Sequence, residues 1–178
     1  MKILLAGPAG SGKTTQAGIL SQKLGIDFVN TGNLLREIAQ QDTDEGRIIN
    51  KALDAGEFVD NELVGKIIKN KLQEPQFKNG YITDGYPRNL DQLKIFDPRY
   101  NIVVYLDVPD SVVLERLLKR GREDDTLDVI SQRLKLYHES TEDVLDYYQK
   151  QGKLFRISAN KPVQEVTEEI FKKVNEVI

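Results

Sequence analysis

Short apolar runs alternate with helical patterns along the 178 residues of this chain. Several of these runs are apolar almost throughout, which is typical of parallel β-strands covered on both faces. The five predicted strands are Lys2–Ala6, Asp27–Asn30, Tyr81–Asp84, Ile102–Leu106 and Leu154–Ile157. Strands that alternate with helices predict an α/β fold with a doubly wound parallel sheet, in which ligands bind beyond the carboxyl ends of the strands.

Polar residues and proline mark the expected starts of several helices. Asp60 is predicted to cap one helix, Asp110 or Ser111 to cap another, and Pro162 to open the last. A longer helix is predicted from Leu127 to Tyr148, where apolar residues recur at helical spacing. The helices therefore fill the connections between the predicted strands, as a doubly wound sheet requires.

Two segments interrupt this alternation. Residues 30–59 carry helical patterns but no further strand, so we expect a small helical insertion there. Residues 119–126 contain no aliphatic side chain and predict a short, exposed, charged loop between two helices. The rest of the chain, residues 1–29, 60–118 and 127–178, is expected to form the core of one domain.

The segment GPAGSGKT at residues 7–14 has the form G-x-x-x-x-G-K-T and lies between the first strand and the first helix. In that context it predicts a phosphate-binding loop, because glycines let backbone N–H groups turn inward around an anion. A helix that begins at about Lys13 presents its positive dipole end to the same anion. Lys13 adds a mobile charge for the outer phosphates, and the hydroxyl of Thr14 or Thr15 can help to hold Mg²⁺.

Composition excludes several classes of protein. The formal net charge is −3, which gives no general attraction to nucleic acid or to an anionic membrane. The chain has no cysteine, so a disulfide framework and a thiolate metal site are excluded. No apolar run approaches the ~20 residues that span a bilayer, and a first strand at Lys2 leaves no room for a signal peptide. We therefore expect a cytoplasmic protein without a nucleic-acid or membrane partner.

Arginines are concentrated in and beside further motifs. The motifs are TGNLLR at residues 31–36, DGYPR at residues 84–88 with Gln92 four residues later, and RLLKRGR at residues 116–122, followed by Asp124, Asp125 and Arg133. Five of the nine arginines belong to this set: Arg36, Arg88, Arg120, Arg122 and Arg133. The planar guanidinium group suits phosphate oxygens, and several arginines together can surround the charge of a phosphoryl transfer.

The phosphate-binding loop and these three motifs, in this order, resemble the adenylate kinase family from residue 1 to about residue 170. The resemblance implies a P-loop NTPase-type sheet, an insertion at residues 30–59 that binds the nucleoside monophosphate (NMP), and a short lid at residues 119–126. It implies reversible, Mg²⁺-dependent phosphoryl transfer from ATP to AMP, giving two ADP and interconverting purine nucleotides. It also implies a monomer. Structural zinc is not expected, because the lid is short and the chain lacks cysteine.

The resemblance also assigns roles to individual residues. Catalysis falls to Lys13, Arg88, Arg120, Arg122 and Arg133. ATP binding falls to Gly10, Ser11, Gly12, Lys13, Thr14, Thr15, Arg120 and Lys161. AMP binding falls to Thr31, Arg36, Glu57, Phe58, Val59, Gly85, Tyr86, Pro87, Arg88, Gln92, Arg122 and Arg133.

Acidic residues are the expected metal and bracing groups. Asp84 ends a strand beside the phosphate-binding loop, where it can hold water around Mg²⁺ together with Thr14. Asp107 ends the next strand in the same way, and a structural role is favoured for it. Asp124 and Asp125 are expected to brace the lid arginines and to cap the following helix.

Two further side chains have open or ordinary interpretations. Arg116 lies one helical turn before Arg120, so it either supports the lid or pairs with Glu115 or another neighbour. The only histidine, His138, is expected on the surface of a helix.

The base of the monophosphate is predicted from Thr31 and Gln92, which resemble adenylate kinases more than UMP/CMP kinases at these positions. A glutamine amide can pair a donor and an acceptor with the edge of adenine. UMP/CMP kinase is the near alternative. A nucleotide-binding switch without catalysis is the alternative from another class, since the same fold hosts both kinds of function.

Overall fold

The computed structural model, which describes residues 1–122 and 125–177, contains one five-stranded sheet in the order β2-β3-β1-β4-β5. All neighbouring strands are parallel, as the sequence predicts. The strands are β1 (Lys2–Ala6), β2 (Asp27–Asn30), β3 (Tyr81–Asp84), β4 (Ile102–Asp107) and β5 (Leu154–Ser158). The last two extend one residue beyond their predicted ends.

Helices cover both faces of this sheet. They are α1 (Lys13–Leu24), α2 (Thr31–Ala39), α3 (Asp44–Asp54), α4 (Asn61–Leu72), α5 (Leu90–Ile95), α6 (Asp110–Arg120), α7 (Leu127–Lys150) and α8 (Val163–Asn175), with a 3₁₀ turn at Pro75–Phe77. The sequence did not predict α5 or the 3₁₀ turn, because six or fewer residues are too few to show a helical period. Within the described residues, no helix is both long and apolar enough to cross a membrane.

Strand register brings the polar strand ends together at one edge. Asn30, the last residue of β2, lies beside Asp84, the last residue of β3. Asp84 in turn lies beside Leu5 of β1, just before the phosphate-binding loop. The carboxyl ends of these three strands therefore form the floor of one site, where a doubly wound sheet places its ligands.

Helix starts agree with the sequence in part. The Asp60 side chain accepts a hydrogen bond from the backbone N–H of Leu63 at 2.9 Å, which confirms the predicted cap. The predicted cap of α6 is wrong, because Pro109 occupies the N-cap position and Asp110 is already helical. Pro162 immediately precedes α8, as expected.

The 119–126 segment is less of a loop than the sequence predicts. Helix α6 continues through Arg120 and ends at Gly121, whose φ of 63° is left-handed. Asp125 is buried rather than exposed. The cap of α7 is Thr126, not an aspartate, since its Oγ1 accepts from the backbone N–H of Val129 at 3.3 Å. Asp124, the other expected brace, lies outside the described residues.

Tyrosine side chains anchor the sheet beneath the site. The Tyr100 ring is buried, and its hydroxyl donates to the backbone oxygen of Tyr86 at 2.9 Å while it accepts from the Thr83 hydroxyl at 2.6 Å. Tyr148 packs edge-on against Tyr100, with 6.1 Å between ring centroids. The Tyr148 hydroxyl is also buried but has no hydrogen-bond partner among the residues that the structure describes.

We predict that Tyr100→Phe lowers the free energy of unfolding by about 1–3 kcal/mol, because a buried hydroxyl and a buried carbonyl lose their partner. Tyr148→Phe is the matched control and should leave stability unchanged or slightly raised. Urea unfolding of the three proteins measures the difference. Equal losses in both variants would contradict the role given to the Tyr100 hydrogen bonds.

Candidate active site

One cleft of about 590 Å³ opens at the carboxyl edge of the sheet. This volume lies within the roughly 300–1,000 Å³ that small-molecule sites occupy. Its walls come from the phosphate-binding loop, the start of α2, the chain after α3, the end of β3 and the facing ends of α6 and α7. Almost all of the site residues predicted from the sequence line it; the exceptions are Tyr86 and Pro87.

The phosphate-binding loop leads into α1 without a side-chain cap. Gly12 occupies the N-cap position with a φ of 97°, a conformation that favours glycine. Gly10 also has a positive φ, and a Cβ atom there would lie 3.0 Å from the Leu117 side chain. The first N–H groups of α1 are therefore left for an anion, at the end of the helix where its dipole favours negative charge.

The ammonium group of Lys13 is buried in this loop. It donates to the backbone oxygen of Pro8 at 2.7 Å and lies 3.7 Å from Asp84 Oδ1. Burial lowers the pKa of Lys13 to about 8, with the positive charges of Arg88 and Arg120 adding to the effect and Asp84 opposing it. A phosphate beside Lys13 would supply the negative charge that the free site lacks.

Asp84 is held in a cluster with Thr14 and Asn30. Its Oδ2 atom accepts from the Thr14 hydroxyl at 2.7 Å and from Asn30 Nδ2 at 2.5 Å. The carboxylate is buried but lines the cleft. Asp107 does neither: it is exposed and lies outside the lining. Of the two strand-end aspartates, Asp84 is therefore the one at the site.

This cluster fits Mg²⁺ by its chemistry. Asp84 and Thr14 present oxygen atoms, the ligand type that Mg²⁺ prefers. A single carboxylate beside a phosphate-binding loop is typical of Mg²⁺ that is bound mainly by substrate phosphates and water.

Arg88 follows β3 and lines the cleft together with Asp84. Its Nε donates to the backbone oxygen of Gly85 at 3.2 Å, and the guanidinium carbon lies 5.8 Å from the centre of the Phe58 ring. Burial lowers the pKa of Arg88 from its ordinary value, with Arg133 and Arg36 adding repulsion. Arginines from α2, the loop after β3 and α7 thus share one electrostatic environment.

Asp125 contacts the arginines of the 119–126 segment, which confirms the bracing role predicted for Asp125 but not its predicted role as a helix cap. Arg120 forms a two-pronged ion pair with it, with Nε–Oδ2 and Nη2–Oδ1 distances of 2.8 and 2.6 Å. The backbone N–H of Arg122 donates to Oδ2 at 3.2 Å, and Arg133 Nη1 lies 3.6 Å from Oδ1. Arg133 also donates to the backbone oxygen of Leu53 at 3.4 Å, so it contacts the 30–59 insertion.

Two polar side chains face the far end of the cleft. The Thr31 hydroxyl is buried and has no hydrogen-bond partner within the described part of the chain. Gln92 Oε1 accepts from the backbone N–H of Arg88 at 2.7 Å. Because that N–H can only donate, the amide oxygen must face it, which leaves the NH₂ group and the second lone pair of the oxygen to bind a ligand.

Tyr86 and Pro87, which the resemblance assigned to AMP binding, are both buried and do not line the cleft. Tyr86 is fully buried, and its hydroxyl lies 2.7 Å from the backbone oxygens of both Gln92 and Phe96. The side chain therefore anchors α5, which carries Gln92, instead of lining the cleft.

Three other polar residues complete the comparison with the sequence. Arg116 donates to the backbone oxygen of Ala159 at 3.1 Å and lines the cleft, while Glu115 pairs with Lys119. His138 lies on the surface of α7 as expected, 3.0 Å from Asp110. Asn30 was missed, although its position at the end of a predicted strand is a signal for ligand sites in such sheets.

Similarity to known proteins identifies the family of this chain. The sequence profile of the family described as "Adenylate kinase" matches residues 5–153. The adenylate kinase of Nocardia farcinica is 39% identical over 175 residues, which cover 94% of this chain and 96% of that protein. That of Rhodococcus erythropolis is 41% identical over 155 residues, covering 83% and 86%. Adenylate kinase 1 of Synechocystis sp. is 38% identical over 179 residues, covering 97% and 96%. The chain therefore belongs to the adenylate kinase family.

Proposed function

We propose that the protein transfers the γ-phosphoryl group of ATP reversibly to AMP and so produces two ADP. The observation that carries the proposal is that the residues expected to bind ATP and those expected to bind AMP line one cleft. Lys13 of the phosphate-binding loop, Thr31, Gln92 and Arg88 all belong to its lining.

The arrangement supports direct transfer between two bound nucleotides. An AMP phosphate oxygen would attack the γ-phosphorus of ATP while the bond to the β–γ bridging oxygen breaks. Lys13 and Arg120 would neutralise charge on the ATP side, and Arg36 and Arg88 on the AMP side. Arg122 and Arg133 would add further positive charge around the transferred phosphoryl group. No covalent enzyme intermediate is needed, because positioning and electrostatic stabilisation supply most of the catalysis in such reactions.

Mg²⁺ is part of the proposal. When bound, it would supply positive charge that offsets the charge of the phosphates. Asp84 would accept hydrogen bonds from its water ligands, and the Thr14 hydroxyl has one lone pair left, since it donates to Asp84 and accepts from Asn30.

The chemistry of Gln92 favours AMP over UMP and GMP as the acceptor, and the resemblance to adenylate kinases at Thr31 and Gln92 favours AMP over CMP. Its free NH₂ group donates, which suits the unprotonated ring nitrogen of adenine or cytosine and opposes the ring N–H of uracil or guanine. The Thr31 hydroxyl, which has no hydrogen-bond partner among the described residues, offers a second contact to the base. A site of this kind discriminates by leaving buried polar groups unpaired when the wrong base binds.

We further propose that residues 30–59 are the NMP-binding insertion and residues 119–126 the lid, both closing over the nucleotides to exclude water. Glu57, Phe58 and Val59 would contact AMP, and Lys161 would contact ATP; all four line the cleft. We also propose that the protein is a monomer and that it acts in the cytoplasm.

In the presence of ATP and Mg²⁺, we expect ADP to form far faster with AMP as the acceptor than with UMP, CMP or GMP. The test is a coupled assay of each monophosphate at equal concentration, read as kcat/KM. A preference for UMP or CMP would make this a pyrimidine monophosphate kinase. Tight nucleotide binding without turnover would instead identify a switch.

We predict that ATP binding without metal takes up a proton between about pH 8 and 9.5. The phosphates should raise the pKa of Lys13 from its value of about 8 in the free protein, so Lys13 is deprotonated before binding and protonated after it. ATP affinity should therefore fall as the pH rises through this range. Calorimetry in buffers of different ionisation enthalpy measures the uptake. Lys13→Arg is the control, because guanidinium stays charged. Equal uptake in both proteins would rule out Lys13 as its source.

We predict that Arg122→Ala lowers kcat on the order of 10²-fold, because it removes positive charge from the closed complex. The melting temperature should change little, because contacts of an exposed charged side chain contribute little to stability. The control is Arg47→Ala, whose exposed side chain pairs only with surface groups such as Asp42. Turnover and thermal melting are measured together. A large loss of stability with near-normal turnover would assign Arg122 a structural role.

A further inference from the structure

Asn30 uses both ends of its side-chain amide, and the two ends serve different parts of the cleft. Its Oδ1 accepts from the backbone N–H of Asn33 at 2.7 Å, which makes it the N-cap of α2. Its Nδ2 donates to Thr14 Oγ1 at 2.8 Å and to Asp84 Oδ2 at 2.5 Å. The orientation of the amide is fixed, because the Asn33 N–H can only donate and must face the oxygen.

We infer that Asn30 is a positioning residue for the metal-binding carboxylate of Asp84, an inference that rests on the function proposed above. Neither the motif of the phosphate-binding loop nor those of the arginines includes Asn30. Its role comes from its place at the end of β2, where the register sets it beside the end of β3.

The contacts of Asp84 show what this positioning achieves. Its Oδ2 accepts two hydrogen bonds, from Asn30 and from Thr14, whereas its Oδ1 lies 3.7 Å from Lys13 Nζ. With Oδ2 held in this way, the carboxylate keeps Oδ1 turned toward the phosphate-binding loop. Partners of this kind orient a metal-binding carboxylate, and their loss typically weakens metal binding by about 10–100-fold.

The Thr14 hydroxyl is fixed by the same amide. It accepts from Asn30 and donates its own hydrogen to Asp84, so the direction of that hydrogen is set before a nucleotide binds. One donor group thus orders both oxygen-bearing side chains that the site offers to Mg²⁺.

The competing explanation is that Asn30 is only a helix cap. Loss of a cap lowers stability but has no direct effect on a metal site. Thr43 provides a matched comparison, because its hydroxyl caps α3 in the same insertion by accepting from the backbone N–H of Gly46 at 3.0 Å. Thr43 does not line the cleft.

Three variants separate the two roles. Asn30→Ala removes the cap and the amide donors, Asn30→Ser keeps a capping hydroxyl but removes the amide donors, and Thr43→Ala removes only a cap. Each protein is saturated with a bisubstrate analogue, two adenosines joined by five phosphates. Mn²⁺, which shares the preference of Mg²⁺ for oxygen and is visible by electron paramagnetic resonance, is then titrated in. For each protein we also measure the Kd of the analogue without metal, the kcat and KM for AMP, and the melting temperature.

We expect both Asn30 variants to weaken Mn²⁺ binding on the order of tenfold or more and to lower kcat in parallel. The Kd of the metal-free analogue and the KM for AMP should stay within about twofold of the wild-type values. Asn30→Ser should melt near the wild-type temperature, and Thr43→Ala should melt lower with unchanged Mn²⁺ binding.

Wild-type Mn²⁺ affinity in the Asn30→Ser variant would overturn the inference, as would an equal loss of analogue affinity with and without metal. If the wild-type protein converts ATP and AMP to ADP while the Asn30 variants bind Mn²⁺ normally, the inference alone fails. If the wild-type protein does not catalyse this reaction, the proposed function fails and the inference fails with it.

Discussion

The site depends on one constraint: several positively charged side chains lie close together with little access to water. Lys13 is buried and Arg88 is half-buried near it, and desolvation lowers the pKa of both. Only two buried carboxylates, those of Asp84 and Asp125, oppose this charge among the described residues. The folded protein therefore tolerates unfavourable electrostatics that the phosphates of two nucleotides would relieve. Such a site binds anions strongly for the same reason that it is costly to keep empty.

The rest of the fold supplies the rigidity that holds these charges apart. Parallel strands end at one edge, and their register sets the spacing between Asn30, Asp84 and the phosphate-binding loop. Buried tyrosines tie the chain after β3 to the sheet through backbone carbonyls, as Tyr100 does to Tyr86. The segments that carry the other arginines lie at this edge, and apolar residues such as Leu35 and Leu117 pack these segments into the core.

Sequence periodicity predicted all five strands because apolar runs at buried parallel strands are nearly continuous, as in Ile102–Leu106. The glycine and arginine motifs likewise predicted most of the residues that line the cleft. What the sequence could not show depends on distant contacts. The sequence predicts that Asp125 braces the lid arginines, but its burial and its contact with Arg133 follow only from the packing of α6 against α7. Asn30 lacks a motif, and its importance follows only from strand register.

The hydrogen bond between Gln92 and the backbone of Arg88 has a consequence for protein engineering. The side chain that would read the base also fixes the backbone of the residue that would bind the phosphate. A shorter or apolar replacement intended to admit another base would release that N–H and shift Arg88 with it. Base preference and transfer rate are therefore linked traits in this scaffold, and a redesigned specificity would require a second substitution that restores an acceptor for the Arg88 N–H.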